Sequence, residues 1–473
     1  MSTPETVGPD IELPASVARQ LRELLPPDRL LLDPADRLAY GYDNSRRVAM
    51  PQAVALAATV DEVQALIDCC REHALPLIAR GRGTNTTGAT VPIHGGVVLS
   101  LERMNKVLRV SPGDRLLECE AGALNGDVQR EAAKHGLFWA PDPTSSGYST
   151  VGGNLACGAG GPRAVKYGTA RDNVLGLRAI AGSGTRLKTG CYTTKGVVGY
   201  DLTRLLIGSE GTLAVITQAA LKLLPKPETT RTLRAAYRDV EAAAAAVARL
   251  MAQPETPSAL EFLDGDAVQL AQAHRDCGLT ADCGALLLIE CDGSHAGIAA
   301  VVAAVSAAAS GDGLIDLRAA RSEAEAEDLW AARKALSPAL RSLAPKKVNE
   351  DVAVPVSRLP ELIRGVAALS KQHGIRIVCF GHAGNGNIHV NLLANPDDPA
   401  QMVAIEACLH AVFRLVLSLE GTLSGEHGVG IDKRAFVAWE IDAATLSMMH
   451  AVKRAFDPVG ILNPGKALPA PPA

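Results

Sequence analysis

Leu77-Ile78-Ala79-Arg80-Gly81-Arg82-Gly83-Thr84-Asn85-Thr86-Thr87-Gly88 is the stretch on which the fold turns. Leu77-Ile78-Ala79 reads as a short buried strand, and the chain runs from it directly into a glycine-rich loop. Upstream, Val54-Ala55-Leu56-Ala57 is a small apolar run, and Thr59 can cap a helix through Glu72 with Val63, Leu66 and Ile67 on its inner face. Downstream, Gly96-Val97-Val98-Leu99-Ser100-Leu101 is another strand. The loop therefore sits inside a strand, helix, strand block.

Glycine is concentrated between residues 81 and 211, in Gly152-Gly153-Asn154, Gly158-Ala159-Gly160-Gly161 and Gly208-Ser209-Glu210-Gly211-Thr212-Leu213. Such clusters let backbone approach a large ligand and present amides to phosphates. Any one of them could be an ordinary turn. Several in one block, each followed by a strand-like apolar run, favour the ligand reading.

Ser16 to Leu25 has the pattern of a short amphipathic helix with Ser16 as its cap, and Asp36 to Arg47 is polar and aromatic. Leu221-Lys-Leu-Leu-Pro-Lys-Pro227 reads as a strand and then a linker, after which the composition shifts. Ala235 to Ala252 and Ala296 to Ala309 are alanine-rich helical segments alternating with strands such as Ala285 to Glu290. This predicts a second α+β domain with helices over one face of an antiparallel sheet. Residues 1–46 form an N-terminal helical segment, 47–226 one domain and 227–473 another, ending in the extended tail Pro458 to Pro472.

At 473 residues there is ample material for two domains. Lys+Arg 47 against Asp+Glu 51 gives a net charge of −4, which offers nothing to a nucleic acid. The 10 cysteines are scattered without a Cys-x-x-Cys pair, as expected of buried thiols in a reducing compartment. Met1 to Pro14 is polar and carries acids, so it does not read as a signal peptide. No apolar run reaches the ~18 residues that span a bilayer. The expectation is a cytoplasmic chain, with room for peripheral contact at the inner membrane face and for a homodimer.

A second stretch carries the chemistry: Phe380-Gly-His-Ala-Gly-Asn-Gly-Asn-Ile-His-Val-Asn391, with Ser424-Gly425-Glu426-His427-Gly428 as its distant partner. Ile388 to Leu392 alternates apolar and polar, so His389 and Asn391 share one strand face. His382 lies just before it across a Gly-Asn-Gly-Asn turn. Two imidazoles and a carboxylate suit a divalent metal with a position left open, and His427 would stand close by as a base. The plain alternative is two satisfied histidines around a glycine-rich turn.

Taken in order, Arg80 to Thr84, Pro141-Asp142-Pro143-Thr144-Ser145, Gly152-Gly153-Asn154 and Gly208 to Gly211 resemble the FAD-binding domain of the vanillyl-alcohol-oxidase/p-cresol-methylhydroxylase type. Gly381 to His389, Gly425 to Gly428 and Phe456 to Lys466 resemble its 2-hydroxyacid dehydrogenase branch: FAD-linked D-lactate dehydrogenases, the D subunit of glycolate oxidase and D-2-hydroxyglutarate dehydrogenases. The resemblance implies a two-part FAD-binding domain followed by an antiparallel-sheet α+β substrate domain. It is not a Rossmann arrangement, since no Gly-x-Gly-x-x-Gly opens a helix after the first strand with an acid about twenty residues on.

By that resemblance Arg80, Gly81, Arg82, Gly83, Thr84, Asn85, Thr87 and Gly88 cradle the FAD pyrophosphate. Glycine amides, the hydroxyls of Thr84 and Thr87 and the Arg82 charge all suit phosphate oxygens. Pro141, Asp142, Thr144, Gly152, Gly153, Asn154 and Gly161 surround the isoalloxazine and ribityl. Glu210 and Gly211 lie near the adenosine half, and Asn463 returns to the flavin from the C-terminal tail. His94 matches no tethering position, so the FAD is non-covalent.

His382, His389 and Glu426 carry over as ligands of zinc or manganese, His427 as the base, Asn391 as a substrate contact, and Arg333 as the clamp on the substrate carboxylate. A guanidinium meets a carboxylate with two parallel bonds. Glu426 and His427 are neighbours, and neighbours on an extended segment point apart, which would give one to the metal and the other to the substrate unless the Gly425 and Gly428 hinges bend the backbone. Members acting on hydroxyglutarate carry a lysine two residues before the Asp seen here as Asp351. Here that position is Asn349, with Lys346 and Lys347 upstream, which favours D-lactate over a dicarboxylate.

The implied reaction is oxidation of a small D-2-hydroxy acid to the 2-oxo acid. The metal acts as a Lewis acid, His427 takes the hydroxyl proton, and hydride passes to flavin N5. Electrons leave to a quinone, a cytochrome or an electron-transfer flavoprotein. The alternatives are the FAD subunit of a glycolate oxidase and a D-2-hydroxyglutarate dehydrogenase.

Overall fold

The computed structural model describes residues 12–274, 279 and 282–471; the polar N-terminus up to Ile11 lies outside them. The chain divides into two units. One takes its described residues from Met1–Gly160, Gly168–Lys226 and Glu426–Ala473, the other from Gly161–Tyr167 and Pro227–Gly425. One division falls at the expected Lys226/Pro227 linker. The chain from 227 to the C-terminus is not one body, however, because 426–473 returns to the first unit.

In the first unit, β1 (Leu30–Leu31), β2 (Ala53–Leu56), β3 (Leu77–Arg80) and β4 (Val97–Ser100) form a sheet ordered β1-β2-β4-β3. β2 and β3 both run parallel to β4. Parallel strands covered on both faces need continuous apolar runs, and every residue of β2 and β4 is buried. The helix Val60–Glu72 makes the crossover, opened by Thr59, whose Oγ1 accepts from the Glu62 amide at 3.2 Å. The helix Ala15–Leu24 begins one residue before Ser16, and Pro14 rather than Ser16 occupies its cap position, with φ −52° already close to helical.

A second sheet of the same unit is antiparallel. β5 (Val107–Ser111) and β6 (Leu116–Glu120) precede a small pair made by β7 (Leu137–Phe138) with a later strand. Then β8 (Val174–Ala181), β9 (Arg186–Gly190) and β10 (Ala214–Lys222) complete the order β5-β6-β10-β8-β9, and β11 (Leu224–Pro225) is the partner of β7. One apolar core runs through both sheets, from Leu66 and Leu99 to Leu117, Trp139 and Val215. The fully buried Trp139 donates its indole N–H to the Asn173 carbonyl at 2.9 Å. Gly152, Gly153 and Asn154 lie in the helix Val151–Cys157 rather than a loop, because Thr150 Oγ1 accepts from the Gly153 amide and starts a helix there.

The second unit is built on one seven-stranded antiparallel sheet. Its strands are β12 (Thr229–Tyr237), β13 (Ala259–Asp264), β14 (Ala285–Gly293), β15 (Leu314–Ala319), β16 (Lys346–Ala353), β17 (Arg376–His382) and β18 (Asn387–Ala394), ordered β15-β12-β14-β13-β17-β18-β16. Helices cover both faces, not one. Leu286 and Leu288 pack with Ala267 and Val268 of the helix Gly265–His274 and with Leu329 and Leu336 of the helix Glu323–Ala339. The alternate residues Leu287 and Ile289 are fully buried too, on the side of the helices Val240–Ala252, Ile298–Ala309, Leu359–His373 and Pro399–Ser418. An apolar run on β14 with no alternation is the sequence signal for this double cover. The alanine-rich stretch from 235 starts as the end of β12 and turns helical only at Val240, after the Asp239 cap.

The helix Pro399–Ser418 qualifies for a membrane span by length and composition, with a mean hydropathy of 1.6, against the expectation that no such run exists. Its buried residues, Ile405, Cys408, Leu409, Val412, Phe413 and Val416, recur at the spacing of one helix face, while Glu406 and Arg414 are exposed. That is the pattern of a helix laid against a sheet.

The hairpin between β17 and β18 carries both candidate histidine ligands, and its turn leaves no choice at Gly386. There φ is +68°, and a Cβ would stand 1.9 Å from the Val354 carbonyl oxygen. Gly386→Ala should lower stability by more than about 1 kcal/mol, read as a fall in the urea midpoint at constant slope.

Candidate active site

Glu261 lies in Ala259-Leu-Glu-Phe-Leu-Asp264, an acid in the middle of an apolar strand. It pairs across the sheet with His382, as His389 pairs with Phe380 on one side and Asp351 on the other. Cross-strand partners share a face, so these side chains stand together on the face that carries Leu286 and Leu288. Glu261 is fully buried, and burial alone would raise its pKa. Its interactions with His382 and Arg333 outweigh that and hold it at about 2.

The contacts are direct. His382 donates from Nδ1 to Glu261 Oε1 at 2.5 Å. Arg333 reaches Oε2 with Nε at 2.8 Å and Nη2 at 2.6 Å, and lies over the Phe380 ring at 4.7 Å. The His389 ring packs edge-on against both His382 (5.2 Å) and Phe380 (5.8 Å), and a ring nitrogen of each histidine lies within 4.8 Å of the other.

This donor set fits a metal. A carboxylate that accepts the Nδ1–H hydrogen bond fixes the tautomer in which Nε2 is the nitrogen able to ligate a metal. Asn391 adds a second sign of a polar ligand: Nδ2 donates to the carbonyls of Val378 (3.1 Å) and His389 (3.0 Å), whereas its buried Oδ1 has no hydrogen-bond partner among the described residues. Arg333, expected to clamp a substrate carboxylate, meets Glu261 Oε2 with its Nε and Nη2 edge. Glu261 is the residue that sequence reasoning missed, and its signal was an acid where alternation and neighbours demand burial.

Asn349 stands opposite Asn391 and is neutral. Lys347, on the same face, reaches Ser337 Oγ at 2.9 Å, and Lys346, one residue before it, falls on the other face. Gly425 closes this unit: its amide donates to the Asp351 carbonyl at 2.7 Å, and a Cβ there would collide with Asn387.

In the first unit the loop after β3 has the character of an anion cradle. No described residue accepts a hydrogen bond from the backbone N–H groups of Gly81 through Thr86, and all but Arg82 in that run are half-buried. Consecutive unsatisfied amides are what a pyrophosphate requires. The loop is shaped from within. Asn85 Oδ1 accepts from the amides of Thr87 (2.9 Å) and Ala89 (3.1 Å), and the Arg80 guanidinium bonds Thr90 Oγ1 at 3.1 Å, just where a Cβ on Gly83 would stand. Arg80 and Asn85 thus support the cradle, while Gly88 is buried with φ +80°.

Of the other expected cofactor residues, Asn154 is buried and bonds Asn125 Oδ1 at 3.2 Å, while Asn125 Nδ2 donates to the Pro141 carbonyl at 3.3 Å. Thr144 is exposed, Asp142 is half-buried, and Gly161 belongs to the second unit with φ +129°. Gly211 follows Glu210 in the left-handed region, at +70° and +53°. Two side chains are turned to the protein. The Glu210 carboxylate accepts from the amides of Val429 and Gly430. Asn463 Nδ2 donates to the carbonyls of Ala89 and Glu210, and its Oδ1 accepts from Lys466.

His427 and Glu426 do not point apart. The backbone bends from Gly425 to His427, and His427 Nε2 comes within 3.7 Å of Glu426 Oε1. The His427 carbonyl accepts from Asn85 Nδ2 at 3.1 Å and Cys157 Sγ at 3.3 Å.

Known proteins resemble this chain in sequence and fold. Residues 226–467 match the FAD linked oxidases C-terminal domain and residues 51–190 the FAD binding domain. The chain is 37% identical over 451 residues to the glycolate oxidase subunit GlcD of Bacillus subtilis, covering 95% of this chain and 96% of that protein. It is 33% identical to a D-lactate dehydrogenase of Anaerostipes hadrus (88% and 90% covered) and to a D-2-hydroxyglutarate dehydrogenase of Xanthomonas citri (94% and 95%). A solved structure of p-cresol methylhydroxylase superposes with a TM-score of 0.77 at 16% identity over 97% of each chain, which speaks for the fold.

Glu261→Ala would leave the mostly buried Arg333 without its counter-charge, since that side chain is only 11% exposed. The expected loss is about 3–5 kcal/mol in denaturant unfolding, partly restored by Arg333→Leu in the same chain.

Proposed function

Since the chain belongs to the FAD-linked oxidases, as an oxidoreductase of the 2-hydroxyacid dehydrogenase type, we propose that it oxidises a small D-2-hydroxy monocarboxylate, D-lactate first, to the 2-oxo acid. The observation that carries this reading is the Glu261–His382–His389 arrangement beside the orphaned Asn391 oxygen. When bound, FAD supplies the hydride acceptor and a divalent metal supplies Lewis acidity toward the substrate hydroxyl.

The protein's part is positioning and proton transfer. Glu261 holds His382 in the ligating tautomer, and His382, His389 and Glu426 are the proposed metal ligands. Supporting Glu426 is its place in the chain: it follows Gly425, which is pinned to Asp351, the residue opposite His389. The bend that brings His427 beside Glu426 favours a base next to the metal, where a neutral imidazole can take the hydroxyl proton. The amides of residues 81–86 are the proposed seat of the pyrophosphate, with the FAD held non-covalently. Electrons then leave to a quinone, a cytochrome or an electron-transfer flavoprotein.

The choice of a monocarboxylate rests on the absence of a cation at Asn349, with Lys347 bonded to Ser337 and Lys346 on the opposite face. The second reading, a glycolate-oxidising subunit, draws on the 37% identity to GlcD. Glycolate is also a monocarboxylate, so Asn349 does not separate the two.

A dye-reduction screen on the purified single chain decides the substrate. The expected order in kcat/KM is D-lactate, then glycolate, with D-2-hydroxyglutarate last; a dicarboxylate at the head of the series would overturn the Asn349 argument. In stopped-flow experiments His427→Ala should retain FAD and metal but reduce its flavin about 10²–10⁴-fold more slowly. A near-wild-type rate, or loss of metal from this variant, would remove His427 as the base.

A further inference from the structure

The acid of Gly208-Ser209-Glu210-Gly211 has an unusual setting. Glu210 is only 8% exposed and takes a left-handed φ of +53°, a conformation that non-glycine residues hold only when their surroundings enforce it. Its Oε1 accepts from the Val429 amide at 2.5 Å and its Oε2 from the Gly430 amide at 2.9 Å. Both carboxylate oxygens are therefore engaged by the backbone just after His427. Gly428, between them and His427, has φ +83°, and a Cβ there would stand 2.3 Å from Glu210 Oε1.

The other side of this segment is held as well. The His427 carbonyl accepts from Asn85 and from Cys157, and the Ile431 amide donates to the Thr87 carbonyl at 2.8 Å. Glu210 is itself fixed at the backbone: its amide donates to the Ala156 carbonyl at 2.8 Å, and its carbonyl accepts from Asn463 at 2.7 Å. The result is a carboxylate seated in a nest of two amides, a charge-assisted contact that dictates the path of residues 427–430.

We propose that Glu210 is a positioning residue for His427, acting through the backbone of residues 427–430 and not by touching the cofactor. The proposal deepens the reading of His427 as the base and rests on it. It places the Gly-Ser-Glu-Gly acid, the amide-bearing loop and the base segment in one hydrogen-bonded frame.

The test uses the FAD-loaded full chain. In Glu210→Gln the side-chain oxygen can serve one amide, but its NH₂ then confronts the other donor. Hydrogen exchange in peptides spanning 427–431 should accelerate, FAD affinity should stay within about twofold, and flavin reduction by substrate should slow by about 10²-fold, the usual cost of a misplaced group. Gly428→Ala strikes the same contact from the opposite side and should give the same pattern, which covers the case in which Glu210→Gln fails to fold. In a His427→Ala background the Glu210→Gln loss should largely vanish.

Unchanged exchange at 427–431 overturns the proposal. So does a variant that weakens FAD binding while its FAD-saturated rate and its exchange stay those of wild type. If His427→Ala alone reduces its flavin normally, the base reading has failed, and the exchange measurement still decides whether Glu210 sets the backbone.

Discussion

A fully buried carboxylate in the middle of a sheet can persist only if positive charge meets it there. Glu261 meets two partners, a guanidinium on Oε2 and an imidazole on Oε1. The cost of removing these charges from water is offset only because the contacts are short and directed. This constraint sets the layout of one sheet face. The helix Glu323–Ala339 must lie where Arg333 can reach the strand, His382 must present Nδ1 inward, and Phe380 becomes the floor on which Arg333 and His389 both rest. Arg333, expected at a substrate carboxylate, is the counter-charge of this buried acid.

The first unit meets its constraint with backbone instead of side-chain charge. Its loop after β3 leaves a run of amides without acceptors among the described residues, an arrangement a protein can sustain only where water or an anion answers them. The side chains of Asn85, Arg80 and Asn463 brace it by bonding neighbouring backbone and hydroxyl groups. The same economy appears in the second unit, where Gly386 and Gly425 occupy positions that a Cβ would fill with clashes.

Much of this was legible in the sequence. Continuous apolar strands, the Thr59 cap and the strand, glycine loop, strand order announced the first unit, because each depends on local pattern. The two histidines were legible for the same reason: a short hairpin puts them together without help from distant residues. Glu261 was not, since its meaning depends on a register match to His382 more than a hundred residues away. Nor was the role of Arg333, because a lone arginine on a helix does not declare its partner. The length of the Gly-Gly-Asn helix escaped because a cap is decided by a single hydrogen bond, which periodicity does not see; at Glu426–His427 the flanking glycines left a bend open without deciding it. The double cover of the second sheet was available in the unbroken run of β14 but was outvoted by the alanine-rich helices beside it.

The path of the chain has a consequence of another kind. It passes from one unit to the other at 160/161, 167/168, 226/227 and 425/426, so neither unit is a contiguous piece of the gene. A fragment ending at Lys226 lacks Val429 and Gly430, which the Glu210 carboxylate needs, and Asn463 and Lys466, which clip the loop at Ala89 and Val91. The first unit is complete only after the second has been synthesised. During translation it must wait, part-built, for its remaining contacts, because the residues that clip the loop after β3 emerge only after the chain of the second unit.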